Sequence, residues 1–358
     1  MLFSSTEQSP NEYHVYLTPL TESSTGLKPD TTSRLDLPRT RITLSPPDSR
    51  AKWHVGSVSL DNKYVSITEI KGSTYVPAYI LDISDRAALP ALPTRIDLPG
   101  VTEAENQTSH LGLSFSKDPT TPHLLYIVSS GFGDFRNAIV YDVDKRTVLH
   151  VTTPEPSLRA IRPINWDIKS QVVTTKAIYF SANVDAWDKR FVVPLSGPFA
   201  QQVVEIRWEG PGADSAGIAF TTNDKNGKPF ELVLHLASYC NLGGLAYANI
   251  EPALQGAKHD EDGKPYIVVQ LTLFKQAQPI PPAYKTVAPK VIRFKSFDGL
   301  EVPFIYYHPC EGKKRVPLNV EIHGELPTSS DEGFEAQARR PGQVALRPSR
   351  PRFANRGS

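Results

Sequence analysis

A repeated order of turns and short strands constrains the fold of this chain more than any other feature. In the first copy, a Ser-x-Asp turn at Ser59–Lys63 precedes an apolar run at Tyr64–Thr68, and a second run, Tyr79–Ile83, closes the unit with an apolar-Asp sequence. Two further copies follow along the chain, through Leu113–Asp118, Leu125–Val128 and Ile139–Val143, and then, more weakly, through Ile164–Ile168, Ile178–Asn183 and Phe191–Leu195. Four-stranded units spaced by roughly 40 to 55 residues are typical of β-propeller blades.

The rest of the pattern also favours short strands. Long helical periodicity is missing, and the 32 prolines are excluded from helix interiors and from central strand positions. Strand-like runs occur at Tyr64–Ile70, Leu124–Ser129, Ala138–Val143, Ala177–Ser181, Phe230–Leu236 and Ile267–Leu273. Turn-forming pairs occur at Asp61-Asn62, Asp144-Lys145, Asn226-Gly227 and Asp262-Gly263. The sequence predicts an all-β fold, a β-propeller of about six to seven blades over residues 1–285; a β-sandwich with extra strands is the alternative.

Charge and cysteine content exclude several classes of partner and site. The 39 basic and 38 acidic side chains nearly cancel, so we expect neither a nucleic acid nor a membrane as a partner. Cys240 and Cys310 have no metal-type spacing, and we expect each to be buried and unpaired. No signal peptide follows Met1, and no stretch reaches the roughly 18 apolar residues of a membrane span. The sequence thus predicts a cytoplasmic protein.

A second kind of pattern begins near residue 286. Residues 276–289 are rich in proline and read as a linker. Apolar runs at Val291–Phe297 and Val302–Tyr307 then flank Asp298-Gly299, which predicts a β-hairpin. A third run, Val316–Ile322, leads into His323-Gly324.

These residues resemble the beginning of the peptidase domain in the prolyl oligopeptidase family of serine peptidases. The resemblance is carried by the Ser-Phe-Asp-Gly hairpin at Ser296–Gly299 and by Ile-His-Gly at Ile322–Gly324, and it is greatest to the dipeptidyl peptidase and acylaminoacyl peptidase branch. Shorter, irregularly spaced pieces of the family pattern occur at Phe334–Arg339, Arg352-Phe353 and Arg356–Ser358. The resemblance implies a propeller that precedes an α/β-hydrolase domain, covers its active site and limits substrate size. It also implies that His323 and Gly324 are a remnant of the oxyanion loop, although the chain has His-Gly-Glu where the family has His-Gly-Gly.

The catalytic groups of such an enzyme are not identifiable. No two of the 22 glycines stand four apart, so the Gly-x-Ser-x-Gly nucleophile motif is absent from the sequence. No pair among the nine histidines has helical metal-ligand spacing, and no nucleotide-binding motif occurs, so we expect no metal and no other cofactor. We therefore expect a serine peptidase that releases dipeptides or acylated amino acids, truncated before its nucleophile and inactive as this chain. The alternative is a non-catalytic propeller that binds peptides or proteins.

The predicted organisation has three parts. Residues 1–285 form the propeller, residues 286–330 hold the linker and the opening strands of an incomplete α/β-hydrolase domain, and residues 331–358 form a disordered tail. The tail has six arginines and three prolines and shows no periodicity. A peptide is the expected substrate or ligand. The sequence does not determine the oligomeric state.

Overall fold

The computed structural model divides the chain into two compact units, Met1–Ile178 and Tyr179–Ser358, and each is described by itself. The described residues are 1–7, 10–18, 21–23, 26–28, 39–46, 49–72, 74–98, 108–132, 135–151, 164, 166–184, 187–200, 202–208, 215–221, 231–238, 241–276, 287–307, 319–322 and 343–346.

Among its described residues, the first unit has short strands and one turn of 3₁₀ helix at Arg86–Ala88. Its strands are β1 (Leu2–Ser5), β2 (His14–Leu17), β3 (Thr21–Ser23), β4 (Gly26–Lys28), β5 (Thr40–Arg41), β6 (Trp53–Val58), β7 (Tyr64–Glu69), β8 (Ala78–Asp82), β9 (Thr94–Arg95), β10 (His110–Phe115), β11 (Leu124–Ser129), β12 (Asn137–Asp142), β13 (Thr147–Val151) and β14 (Ile168–Val173). The chain enters the second unit within β15 (Ala177–Val184).

The strands of the first unit pair into antiparallel sheets. Sheet 1 has the order β1-β2-β5, sheet 2 the order β6-β7-β8-β9 and sheet 3 the order β10-β11-β12-β13, while β3 and β4 form a separate hairpin. Sheets 2 and 3 each correspond to one copy of the sequence repeat. The predicted strand at Leu124–Ser129 is confirmed at both ends.

Sheets 2 and 3 bury both of their faces. In β11 every residue after Leu124 is buried, although an antiparallel strand with one solvated face would alternate. One apolar cluster joins sheet 1 to sheet 2 and comprises Val15, Ile42, Ala51, Trp53, Val65, Ile67, Leu81 and Ile83. A second joins sheet 2 to sheet 3 and comprises Ala78, Ile80, Ile96, Leu98, Leu113, Phe115, Leu125, Ile127, Ile139, Tyr141 and Val143. The sheets therefore stack face to face, as propeller blades do.

A buried hydroxyl stabilises the turn between the first two strands of each repeat. Ser59 Oγ accepts hydrogen bonds from the backbone N–H groups of Lys63 and Tyr64, at 3.1 and 2.9 Å. Thr174 Oγ1 accepts a hydrogen bond from Ala177 N at 3.0 Å in the corresponding turn after β14. Ser116, at the same position after β10, is 1% exposed and accepts from Asp118 N. The Ser-x-Asp repeat in the sequence is thus a repeated turn, because the hydroxyl pairs backbone groups that would otherwise be buried without a partner.

The second unit has longer strands and one α-helix among its described residues, α1 (Glu251–Gln255). Its remaining strands are β16 (Trp187–Pro194), β17 (Val204–Trp208), β18 (Ser215–Thr221), β19 (Glu231–Ser238), β20 (Asn241–Asn249), β21 (Lys258–His259), β22 (Pro265–Val269), β23 (Thr272–Gln276), β24 (Lys290–Lys295), β25 (Glu301–Tyr306), β26 (Asn319–Ile322) and β27 (Gln343–Leu346).

These strands form three sheets. In sheet 4 the order continues from β15 through β16, β17 and β22 to β21, sheet 5 has the order β18-β19-β20-β23, and sheet 6 has the order β24-β25-β27-β26. The predicted single run at Ile267–Leu273 is wrong. Val269 ends β22, which pairs in parallel with β17, and Thr272 begins β23, which pairs with β20. A run of apolar residues does not reveal that its two halves belong to different sheets.

The hairpin predicted around Asp298-Gly299 is confirmed. β24 and β25 pair in antiparallel register from Lys290 with Tyr306 to Lys295 with Glu301. Gly299 has a φ of +85°, and Asp298 Oδ1 accepts a hydrogen bond from Leu300 N at 3.0 Å. The aspartate and glycine thus make the turn that their sequence predicts.

The C-terminal part of the chain contains two short described strands. The third run was predicted over Val316–Ile322; its residues Asn319–Ile322 form a strand, and residues 316–318 lie outside the described residues. That strand pairs in parallel with Gln343–Leu346, which lies inside the segment predicted to be a disordered tail. The predicted division of the chain, with its tail at residues 331–358, stays a prediction. The number of blades and an α/β-hydrolase domain are not tested by the described residues.

We predict that Gly56→Ala destabilises the protein and that Gly72→Ala does not. A Cβ atom at Gly56 would lie 2.7 Å from Ser66 Oγ and 2.9 Å from Leu113 Cβ, whereas nothing lies within 4 Å of one at Gly72. Overpacking costs about 1–3 kcal/mol, and an unhindered surface change costs less than about 0.5 kcal/mol. Urea unfolding followed by tryptophan fluorescence measures both. Equal free energies of unfolding for the two variants would contradict the described contact between sheets 2 and 3.

We also predict opposite effects of Phe297→Lys and Ile305→Lys in the hairpin. Phe297 is fully exposed, so its replacement removes apolar surface from solvent and is expected to raise soluble yield at unchanged stability. Ile305 is 7% exposed, and a lysine there would bury a charge or open the sheet. Soluble expression and thermal unfolding check both changes. Loss of stability in the Phe297 variant would show that its ring packs on another part of the protein.

Candidate functional site

The predicted remnant of the oxyanion loop cannot be placed. His323 and Gly324 lie outside the described residues, as does His308. The described structure ends this region at Ile322, the last residue of β26. The role that the resemblance implies for His323 and Gly324 therefore stays a prediction.

A group of titratable side chains in the first unit surrounds His123. This histidine precedes β11, and it lies between Asp61 from the β6–β7 turn and Asp144 from the β12–β13 turn. Its Nε2 atom is 2.7 Å from Asp61 Oδ2, and its Nδ1 atom makes a short contact with Asp144 Oδ2. We name these three residues the histidine bridge. It connects turns of sheets 2 and 3.

Neighbouring groups fix the geometry of the histidine bridge. Ser59 Oγ donates a hydrogen bond to Asp61 Oδ1 at 2.6 Å, and the Tyr64 hydroxyl donates one to Asp144 Oδ1 at 3.1 Å. The Tyr64 ring also meets the imidazole edge to face, with centroids 4.9 Å apart. Each carboxylate is therefore held by one bond from the histidine and one from a hydroxyl.

The arrangement favours the charged imidazole. Partial burial opposes protonation, but the hydrogen bonds to Asp144 and Asp61 outweigh it and raise the pKa of His123 above its ordinary value. Hydrogen bonds from Ser59 and then from His123 lower the pKa of Asp61 to about 2. An imidazolium has two N–H donors, one for each carboxylate, whereas a neutral ring has only one.

The histidine bridge does not form a nucleophilic triad. In a Ser-His-Asp triad the serine hydroxyl is hydrogen-bonded to the histidine, which takes its proton. Here the Ser59 hydroxyl donates to Asp61, accepts backbone N–H groups and is 2% exposed. Both nitrogens of His123 are occupied by carboxylates, so the ring has no lone pair for a general base. The chemistry of this group is ion pairing between two turns.

A cleft beside sheets 1 and 2 is the second candidate site. Its volume is about 740 Å³, and its lining residues are Pro10, Asn11, Tyr13, Ser49, Arg50, Lys52, Glu69, Ile70 and Lys71. An isolated parallel bridge between Tyr13 and Lys52 holds together the two chain segments that line the cleft. We name it the Tyr13 cleft. Three of its lining side chains are cationic, and one is anionic.

The anionic side chain of the Tyr13 cleft already has partners. Glu69 accepts a hydrogen bond from the Tyr79 hydroxyl at 2.9 Å and lies 3.4 Å from Lys71 Nζ. Burial, and then the Glu69 carboxylate, raises the pKa of Tyr79. By contrast, Arg50 and Lys52 are exposed and form no ion pair with any residue that the structure describes. Within the described residues, the cleft therefore presents positive charge that no ion pair neutralises.

Two other histidines of the first unit, His110 and His54, have structural surroundings. Burial lowers the pKa of His110 to about 4, so this histidine is neutral in the core at ordinary pH. His54 stacks on Tyr13 with ring centroids 5.6 Å apart. Among the described residues, no three histidine, cysteine, aspartate or glutamate side chains are grouped so that they could bind a metal ion. The described part of the chain also contains no helix that is long and apolar enough to span a membrane.

Neither candidate site could be recognised from the sequence alone. Asp61 and Asp144 carry a signal only as turn residues, and His123 follows Pro122 without any motif. Arg50, Lys52 and Lys71 are scattered across 22 residues and do not form a basic run. The stacking of sheets brings these side chains together. The sequence signal for the histidine bridge is the repeat itself: when its copies are aligned, the turns that carry these residues fall at the same edge of the stacked sheets.

Comparison with solved structures identifies similar folds. A prolyl endopeptidase matches with a TM-score of 0.51 and 13% identity, over 89% of this chain and 38% of that one. Oligopeptidase B from Trypanosoma brucei, in its closed form with covalently bound antipain, matches with a TM-score of 0.50 and 11% identity, over 87% of this chain and 39% of that one. Prolyl oligopeptidase B from Galerina marginata, bound to a 35mer substrate of hydrolysis and macrocyclisation, matches with a TM-score of 0.50 and 12% identity, over 85% and 36%.

The shared fold is a β-propeller-like domain. No protein-family model matches the chain, and no curated protein sequence matches it. The chain spans well under half the length of these solved peptidases, between 36% and 39%. The comparison agrees with the predicted resemblance at the level of fold.

We predict that the histidine bridge stabilises the protein more at low pH than at high pH. Because the folded-state pKa of His123 is raised, its contribution is complete below the unfolded value of about 6.5 and is lost as pH rises through the folded-state value. His123→Gln should therefore lower the free energy of unfolding more at about pH 5.5 than at about pH 8.5. Urea unfolding at both pH values measures the difference.

His54 provides a control of opposite sign. Burial lowers the pKa of His54, so the contribution of the wild-type residue to the stability of the fold decreases as pH falls below the pKa that it has in the unfolded chain. Relative to wild type, the free energy of unfolding of His54→Gln should consequently be higher at about pH 5.5 than at about pH 8.5. If His123→Gln and His54→Gln showed the same pH dependence, the ion-pairing role of the histidine bridge would be refuted.

Proposed function

We propose that this chain is the propeller portion of a serine peptidase of the prolyl oligopeptidase type, and that the substrates of the whole enzyme are peptides. The observation that carries the proposal is the likeness of fold over 89% of the chain to a prolyl endopeptidase. The stacked sheets of the first unit and the Asp298-Gly299 hairpin of the second support it. The hairpin matters because its sequence carries the resemblance to the beginning of the peptidase domain.

The proposed role of the propeller is selective access. In the prolyl oligopeptidase family the propeller covers the active site and excludes large substrates. Stacked sheets suit this role, because side chains packed on both faces make each sheet stiff, and the loops at the ends of the stack remain free to vary. The Tyr13 cleft and the histidine bridge are both formed by residues in turns or at strand ends. This placement agrees with a domain whose sheets provide stiffness and whose loops carry the recognition surface.

The finer specificity rests on sequence. We propose the dipeptidyl peptidase and acylaminoacyl peptidase branch, whose members release dipeptides or acylated amino acids, from the Ser296–Gly299 and Ile322–Gly324 segments. The structural matches are a prolyl endopeptidase and two oligopeptidases named B. Substrate assays must therefore compare dipeptidyl, acylaminoacyl and prolyl substrates side by side.

We predict that the 358-residue chain itself has no hydrolase activity. The sequence has no Gly-x-Ser-x-Gly motif, and a serine mechanism without its nucleophile retains at most weak binding effects. The purified chain should show no labelling by a fluorophosphonate probe and no turnover of dipeptidyl, acylaminoacyl or prolyl chromogenic substrates. Stoichiometric labelling of any serine would overturn this prediction, and peptide mapping would identify that serine.

Sequencing of the gene tests the peptidase assignment itself. The nucleotide sequence downstream of the Ser358 codon should encode a Gly-x-Ser-x-Gly motif and a distal histidine in one of its reading frames. A chain extended through that frame should be labelled by the fluorophosphonate probe, and replacement of the motif serine by alanine should abolish the labelling. Absence of such a frame would favour the second function.

The second function is a non-catalytic propeller that binds peptides or proteins. The Tyr13 cleft favours it, because a concave surface with exposed cations and an aromatic ring can bind a ligand without any catalytic group. Peptide binding by the chain, together with the absence of both labelling and a downstream nucleophile motif, would support this function.

A further inference from the structure

We propose that the Tyr13 cleft binds an acidic peptide segment, with carboxylates of the peptide at Arg50 and Lys52 and an apolar side chain of the peptide against Tyr13 and Ile70. The proposal names a ligand class for a site that neither the fold nor the comparisons assign. It does not depend on the peptidase assignment, because the cleft and its charges lie entirely within the first unit.

The charges of the cleft determine the sign of the charge that its ligand carries. Glu69 is buried and bound by Tyr79 and Lys71, so the one carboxylate among the described lining residues is not available to a cationic ligand. Lys71 is engaged on its other side by the Tyr75 ring, 5.6 Å from the ring centroid. Arg50 and Lys52 remain, both exposed and without an ion pair in the described part of the chain. Two such cations, which both line the cleft and are separated in the sequence by Ala51, favour a ligand with more than one carboxylate.

Apolar surface in the same cleft argues against a bare inorganic anion. Tyr13 is 37% exposed and Ile70 is 39% exposed, although both flank the core of the first two sheets. The Tyr13 ring is held in place by stacking on His54. A rigid aromatic face next to cations is the combination by which binding sites recognise peptides that carry both apolar and acidic side chains.

The backbone of the cleft excludes recognition by strand addition. Tyr13 N donates to Ala51 O at 2.9 Å, Trp53 N donates to Tyr13 O at 2.9 Å, and Ile70 N donates to Lys52 O at 3.1 Å. These main-chain groups already have partners, so a bound peptide cannot extend the sheet at this position. Side chains must therefore provide the contacts. The same bonds make the cleft preformed, which reduces the entropic cost of binding.

The size of the cleft limits the ligand to a short segment. Ligand pockets in proteins range from about 300 to 1,000 Å³, and the Tyr13 cleft, at about 740 Å³, lies within this range. It can hold a few residues of a peptide but not a folded domain. The expected ligand is an exposed acidic stretch of a longer polypeptide or a short acidic peptide.

Fluorescence anisotropy with the purified full chain tests the proposal. The probe is a labelled peptide with alternating aspartate and leucine, acetylated at its N-terminus and amidated at its C-terminus. A second peptide has lysine in place of aspartate. A third has asparagine in place of aspartate and a free C-terminal carboxylate, which separates side-chain carboxylates from a terminal carboxylate as the group that is recognised.

The variant Arg50→Ser/Lys52→Ser removes the two exposed cations of the cleft. The matched control is Arg86→Ser/Lys117→Ser, because these residues are also exposed, form no ion pair among the described residues and lie outside the cleft. The control changes net charge by the same amount, so it accounts for long-range attraction. Thermal unfolding of both variants shows whether each is folded.

The proposal makes a specific set of predictions for these measurements. The aspartate peptide should bind at physiological salt, the lysine peptide should not, and the cleft variant should bind at least about fivefold more weakly, as expected for two exposed ion pairs. The control variant should bind like wild type. Absence of binding of the aspartate peptide, or equal weakening in the two variants, would overturn the proposal. Binding of the asparagine peptide with the free terminus as tight as that of the aspartate peptide would also overturn it, because a single terminal carboxylate would then be sufficient.

Discussion

Face-to-face packing of small antiparallel sheets is the constraint on which the first unit depends. A four-stranded sheet that buries only one face alternates buried and exposed residues, but β11 and β12 are each buried at five of their six positions. Such strands are stable only when another sheet covers each face. The apolar clusters around Trp53 and Phe115 meet this requirement, because each consists of side chains from two successive sheets. The backbone bridges between Thr43 and Ala91 and between Val76 and Ser109 then tie neighbouring segments together.

The sequence predicts the local part of this fold well. The repeated hydroxyls at Ser59 and Ser116 and the apolar runs that follow them define turns and strands within a few residues, because both signals act over short distances. The glycine of the Asp298-Gly299 turn adopts the positive φ that its neighbours require. These features need no information about distant parts of the chain.

Long-range pairing is where sequence reasoning failed. Nothing in the apolar run from Ile267 to Leu273 indicates that its first half pairs in parallel with β17 and its second half with β20. The strand at Gln343–Leu346 lies in an arginine- and proline-rich segment that has little intrinsic preference for structure, and it pairs with β26. The candidate sites depend on the same kind of contact. His123 meets Asp61 and Asp144 only because two sheets stack, and a single residue between two turns leaves no periodic signal.

The interleaving of sheets 4 and 5 affects how this protein can be dissected. Along the chain, β17 belongs to one sheet, β18 to β20 to the other, β21 and β22 to the first again, and β23 to the second. Any single cut between Val204 and Gln276 therefore divides the strands of at least one of these two sheets between two fragments. Limited proteolysis in this stretch would leave both pieces with unpaired strand edges, so the nicked halves should stay associated or unfold together. Expression fragments for structural work should keep the segment from β17 to β23 intact.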